Sequence, residues 1–287
     1  MAPKRRTAAA AGLMIALATL PAAHSFAPSP FASHLRPARA FAVDCSRGSR
    51  GASLGGVLGA AMDVSSGGDD MAKSMRDQRE GALNEMRQRM ESQRLEGLRS
   101  ELLYLCDKTK RGIDSPVGSE MREKIVAIME DLEKANPIPE PLASPVINGE
   151  WVLRWTTSES ILGRKRPYGF RVSLDRPILQ VIDTVNLKAK NFEPVNTFRW
   201  IFGGIKYQNS VEAELEPISK SNTKVIFRKF NLFGGIISIK APEKAKGMLD
   251  TTYLHDGRIN EAETAGSALR ISRGDKGNLF ILTRAHE

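Results

Sequence analysis

The stretch WVLRWTTS, residues 151–158, sets Trp151, Leu153 and Trp155 at alternate positions, with Val152, Arg154 and Thr156 between them. On an extended chain, side chains two apart share a face, because successive Cβ atoms point to opposite sides of the pleat. The segment therefore reads as a β-strand with two indoles and a leucine turned to one side. It also marks a change of period. Apolar residues before it recur at helical spacing, and those after it alternate.

Downstream, Leu179, Val181, Val185, Leu187 and Ala189 alternate with polar residues through ILQVIDTVNLKAK. Phe198, Trp200 and Phe202 alternate with Thr197, Arg199 and Ile201, and Tyr207, Val211, Ala213 and Leu215 do the same in KYQNSVEAELEP. KVIFRKF, GIISIK, GMLDTTYL, ALRIS and LFILT supply further short strands. About eight or nine such strands, with turn signals and no helical pattern between them, predict a barrel or a sandwich over residues 148–287. The Arg273-Gly274-Asp275 tripeptide falls between ALRIS and LFILT, where Gly274, Asp275, Gly277 and Asn278 suit a hairpin turn.

Upstream, residues 69–136 read as a helical arm and hairpin. Met71, Met75, Met86, Met90, Leu98, Leu102 and Leu105 form a narrow apolar stripe among alternating charges. Met121, Ile125, Ile128, Met129 and Leu132 define a second helix, with Ser119 placed to cap it and Glu120 and Glu123 at its positive end. Asn136-Pro137 ends that helix. PIPEPLASP follows as a stiff linker.

The first 68 residues form a two-part leader. Lys4-Arg5-Arg6, an apolar run and Ala23-His24-Ser25 make residues 1–25 a secretory signal peptide. Residues 26–68 are rich in Ala, Ser, Gly and Arg and poor in acids, the composition of a disordered transit peptide. The pair, joined at Phe26-Ala27-Pro28, resembles the leader of proteins sent to the plastids of algae with secondary plastids.

The chain of 287 residues carries a net charge of +9, with 22 basic and 15 acidic side chains after residue 143. Such a surplus suits an anionic membrane surface, a nucleic acid or plain solubility. The aromatic residues alternate out of phase with Arg154 and Arg199, whereas a nucleic-acid groove needs rings and cations on one exposed face. No nucleic-acid partner is expected. Beyond the leader only His255 and His286 remain, so no metal site and no catalytic triad is expected, and neither a G-x-S-x-G elbow nor a phosphate-cradling glycine loop occurs. No cofactor is implied, and no enzymatic activity. If the rings of Trp155, Trp200, Phe202 and Tyr207 turn inward, they line an apolar pocket for an extended lipid; the same alternation equally builds a filled core.

Several stretches together resemble the plastid lipid-associated proteins, also called fibrillins or plastoglobulins. LRSELLYLCDKTKRGIDSP and KIVAIMEDLEKANPIPEPL are similar to the family's helical entry. INGEWVLRWTTSESIL is similar to its first strand, with Gly149-x-Trp151 like the lipocalin opening signature. FRKFNLFGGIISIKAPEKAKGMLDTTYLHDGRI and LRISRGDKGNLFIL are similar to its last strands.

The resemblance implies an α+β, mainly β fold: a lipocalin-like antiparallel barrel preceded by an N-terminal helical hairpin. It implies a non-enzymatic plastid protein that binds or organises prenylquinones, carotenoids or glycerolipids at thylakoids or plastoglobules. It also implies that Trp151 packs at the closed end of the barrel against an Arg from a late strand, Arg270 or Arg273. Residues 70–97 lie outside the resemblance, which leaves an alternative role as a scaffold or assembly factor docking a plastid protein through that arm.

Overall fold

The computed structural model describes residues 66–163, 166, 171–196, 206–260, 263–264 and 267–285. The segment expected to be a leader, residues 1–68, therefore lies outside the described residues, apart from its last three. So do Trp200 and Phe202.

Two helices come first, α1 (Ser66–Lys108) and α2 (Glu120–Lys134). The chain divides into two units, and of the Pro21–Arg87 unit the described part is helical, with every side chain from Met71 onward exposed. In the unit that begins at Gln88, the Ser119 hydroxyl accepts the Arg122 N–H at 3.3 Å and so caps α2. Between the helices, a turn at Lys110, Arg111 and Gly112 takes positive φ at all three residues.

The strands are β1 (Gly149–Thr156), β2 (Leu179–Asp183), β3 (Lys188–Asn196), β4 (Lys206–Pro217), β5 (Asn222–Leu232), β6 (Ile237–Lys240), β7 (Lys246–His255), β8 (Arg258–Asn260), β9 (Glu263–Thr264), β10 (Leu269–Gly274) and β11 (Leu279–Arg284). A one-turn helix, α3 (Glu159–Leu162), follows β1. The main sheet runs β4-β3-β2-β1-β11-β10-β7-β5, and a β4–β5 ladder returns to the start, giving a closed eight-stranded antiparallel barrel. Closure leaves no free edge in the ring. β6 pairs with the end of β5, and β8 with β9 forms a separate ribbon. Among the described residues, no helix is long and apolar enough to cross a membrane.

Two details depart from simple alternation. The continuous pattern through ILQVIDTVNLKAK is a hairpin rather than one strand: the chain turns after Asp183, whose carboxylate accepts the Asn186 N–H at 2.8 Å, and Leu187 takes a φ of 51°. In β1 the register with β11 shifts between Leu153, opposite Leu282, and Trp155, opposite Ile281. Arg154 is the extra residue of a β-bulge. Past it the inward and outward faces exchange.

That exchange decides where the cores form. Inside the barrel, Trp151, Leu153, Ile182, Leu215, Leu254 and Leu282 pack together. Outside it, Trp155, Tyr253, Leu269, Ile271 and Ile281 meet Leu102, Leu105 and Cys106 of α1 and Ile125, Ile128, Met129 and Leu132 of α2. Each such large apolar side chain contributes roughly 1.5–3 kcal/mol when fully buried. The helical hairpin is thus a second layer on the outer face of β1, β11, β10 and β7.

Candidate ligand site in the barrel

The barrel interior is not filled. A cavity of about 430 Å³ lies within it, between α3, the start of β7 and the β10–β11 turn. This volume falls in the range of small-molecule sites, roughly 300–1,000 Å³. The lining is chiefly apolar, with Leu153, Phe192, Val211, Val225, Phe227, Phe230, Met248, Phe280 and Leu282, and with Gln180, Asn191, Glu193 and Arg270 as its polar members. Phe227 and Phe230 sit three apart in β5, yet both line the cavity, because the β4–β5 register skips Arg228. Their rings lie 6.4 Å apart.

The mouth is marked by Lys246, Gly247, Asp275 and Lys276. At the opposite end the floor is built around Trp151, which is fully buried and donates its indole N–H to the Ile147 carbonyl at 2.8 Å. Two guanidinium groups stack on this indole, Arg270 at 4.8 Å and Arg284 at 4.4 Å from its ring centre. Gly149 stands beside Arg284 with a φ of 110°, and a Cβ there would come within 2.5 Å of Arg284 Nη1. Glycine two residues before Trp151 is thus required by backbone conformation and by the arginine alike. Below the main cavity a void of about 30 Å³ remains between Ile147, Gln180 and Leu215, no larger than one water.

Arg270 is completely buried, and its hydrogen-bond acceptor is an amide rather than a carboxylate. It donates to the Gln180 side-chain oxygen, while its Nε and Nη1 have neither a hydrogen-bond partner nor accessible surface. Burial, reinforced by the nearby Arg284 charge, pushes its pKa down to about 9. The indole face and one amide oxygen are what hold this cation in place. Higher in the cavity, burial pushes the Glu193 carboxyl up against the opposing pull of Arg166, with which it forms an ion pair.

The residues singled out in the sequence separate into distinct places. Trp151 and Arg270 meet at the floor. Arg273 does not join them: it lies on the outer face and makes a two-point ion pair with Glu133 of α2, at 2.6 and 2.8 Å. β10 alternates, so Arg270 and Ser272 turn inward and Arg273 cannot. Trp155 does not line the cavity either. The bulge at Arg154 swings it outward, where its indole N–H donates to Ser115 Oγ at 3.0 Å among the helix residues. Tyr207 packs on Phe233 at 5.1 Å and stays outside the cavity lining, its hydroxyl buried without a hydrogen-bond partner. Trp200 and Phe202 lie outside the described residues.

Sequence reading missed Arg284, Gln180 and the phenylalanines of β5 and β11. The register of β1 against β11, which sets Arg284 opposite Trp151, is the signal that identifies the first of these. Among the described residues, no cluster of His, Cys, Asp and Glu could hold a metal ion.

The PAP_fibrillin family model matches residues 96–283. The chain is 33% identical over 186 residues to the probable plastid-lipid-associated protein 5, chloroplastic, of Arabidopsis thaliana, covering 64% of this chain and 68% of that protein. It is 26% identical to plastoglobulin-1, chloroplastic, of Pisum sativum, covering 66% of this chain and 61% of that protein. It is 28% identical to the chromoplast-specific carotenoid-associated protein of Cucumis sativus, covering 61% of this chain and 64% of that protein. The chain thus spans about two thirds of the length of these relatives. No solved structure matches it.

Proposed function

The chain belongs to the PAP_fibrillin family, and from that premise we propose that its barrel binds one lipophilic molecule at a time and carries or organises it at a plastid lipid surface. The observation that carries this reading is the apolar cavity of about 430 Å³, open between α3 and the β10–β11 turn. An apolar body buried there gains from leaving water over its whole surface. Gln180 and Asn191 offer amide groups to a carbonyl or hydroxyl on the ligand. The cavity takes a quinone ring with the first units of its prenyl tail, one end ring of a carotenoid, or one acyl chain of a glycerolipid, with the remainder leaving through the mouth. Thylakoids and plastoglobules are the proposed surfaces.

The chain acts without catalysis in this reading, and its first 68 residues address it to the plastid of an alga with a secondary plastid. The chloroplastic and chromoplastic names of its relatives support the plastid part of that proposal. The test is extraction of the purified chain, followed by titration with a short-chain benzoquinone while tryptophan emission is recorded. Co-purifying quinone, carotenoid or glycerolipid, together with saturable quenching, supports the pocket. Absence of both co-purifying lipid and saturable quenching would overturn the carrier reading.

One observation favours a second reading. Met71, Met75, Leu83 and Met86 of α1 are 45–63% exposed, a row of apolar side chains available to a plastid protein partner. Truncating residues 70–97 separates the two: loss of a protein partner with lipid binding intact marks the chain as a scaffold.

A further inference from the structure

The hairpin joining β5 to β6 ends in an exposed apolar tip. Ile236 is 86% exposed and Ile237 40%. A Cβ added to Gly234 or Gly235 would meet no atom within 4 Å. The base of the tip, in contrast, is firmly built. The Phe233 N–H donates to Asn209 Oδ1 at 3.0 Å, and Asn231 accepts from Ser238 at 2.7 Å while donating to Ser210 at 3.2 Å.

Lysines outnumber the acids around it, which are Glu212 and Glu243. Lys229 and Lys240 face each other directly across the β5–β6 ladder, both exposed, and like charges at such positions repel. Glu212, opposite Lys229 on β4, is engaged by Lys190 at 3.3 Å. Lys244 and Lys246 are exposed just beyond, with Glu243 as the nearby acid. The position of the tip is equally specific. β5 pairs with β7 as far as Ile226 opposite Lys246, then runs on past the start of β7, so the tip projects beyond the mouth that Lys246 marks.

We propose that this hairpin docks the protein, mouth first, on an anionic lipid surface, with Ile236 and Ile237 entering the apolar zone and Lys229, Lys240, Lys244 and Lys246 meeting the headgroups. An anionic surface relieves the Lys229–Lys240 repulsion and attracts each lysine. Two isoleucines are too little area for a stable protein interface, which needs about 800 Å² per partner. They are ample for insertion at an interface. The inference rests on the lipid-carrying reading, since a mouth-first pose gives the ligand a path between cavity and lipid that avoids water.

The test labels Cys at position 236 (Ile236→Cys, in a full chain with Cys45→Ser) with a polarity-sensitive fluorophore. Cys106 is buried and stays unlabelled. Vesicles of phosphatidylcholine, with and without phosphatidylglycerol, are then added. A blue shift with phosphatidylglycerol that is quenched by brominated acyl chains supports the pose. In unlabelled chains, Ile236→Asp with Ile237→Asp lowers vesicle affinity by at least about tenfold, since neither side chain then gains from leaving water. Lys229→Glu with Lys240→Glu abolishes the preference for phosphatidylglycerol. A label that stays in water while the chain sediments with vesicles overturns the inference, as does a chain that binds no vesicle. Benzoquinone titration of the Asp variant keeps the two readings apart. Quenching retained with docking lost is the expected pattern, and absence of quenching in the unmodified chain sinks the carrier reading alone.

Discussion

Replacing Arg270 by methionine removes a charge from the barrel floor while keeping the length and most of the volume of the side chain. Three effects compete. Burial, with the Arg284 charge, lowers the arginine pKa to about 9, and at about 1.4 kcal/mol for each tenfold change this puts the cost of holding the cation there at roughly 5 kcal/mol. Against that, its contact with Trp151 is worth about 2 kcal/mol when desolvated. Losing the guanidinium also leaves the Gln180 oxygen unsatisfied, at about 1–3 kcal/mol. The sum lies between neutral and about 2 kcal/mol of stabilisation, in line with what happens when buried charges are exchanged for apolar residues. Equilibrium unfolding in urea, followed by tryptophan emission, measures it. Repeating the measurement with Trp151→Phe in both backgrounds isolates the indole contact as a coupling of about 2 kcal/mol. A loss above about 3 kcal/mol for Arg270→Met would refute the reasoning, because lost interactions would then outweigh desolvation.

Three further outcomes are expected. Gly112→Ala sets a Cβ 2.2 Å from the Thr156 carbonyl oxygen at a φ of 106°, so a loss of about 3 kcal/mol or more is expected in the same unfolding assay. Arg273→Ala breaks a pair with Glu133 in which the arginine is partly exposed and should cost about 1 kcal/mol; a loss comparable to that of a core substitution would place Arg273 in a role the geometry does not give it. His255 is held below its ordinary pKa by burial and by Arg99, against the weaker pull of Asp256 and Glu96, and its Nδ1 accepts the Gly257 N–H at 3.0 Å. The unfolded chain therefore takes up this proton first, so stability falls as pH drops through about 6.5, and His255→Asn should flatten melting temperature against pH in that window.

The sequence reveals the fold wherever inward and outward residues differ in kind. Val211, Ala213 and Leu215 against Glu212, Glu214 and Glu216 is such a place: Glu214 and Glu216 are exposed, Glu212 is partly so, and the three pair with Arg228, Lys224 and Lys190 in turn. It hides the fold where one residue shifts the register. Nothing in WVLRWTTS distinguishes Arg154 as a bulge, and a one-residue insertion reverses every side chain that follows. Phe227 and Phe230 look out of phase in the sequence for the same reason. The cavity is harder still to read, since a void is a property of residues that fail to meet, and an apolar inward face is equally compatible with a filled core. Arg284 was invisible because its role depends on pairing with a strand about 130 positions earlier, a contact set by register rather than by any local pattern.

The bulge at Arg154 also gives β1 two optical reporters. Trp151 senses the barrel floor and Trp155 the helical layer, and the two belong to different packing clusters although only three residues separate them. With Trp200 and one of this pair replaced by phenylalanine, the emission of the remaining indole follows ligand entry in one chain and loosening of the helical layer in the other. Whether loading the barrel is felt by the helices outside it then becomes a matter of comparing two spectra.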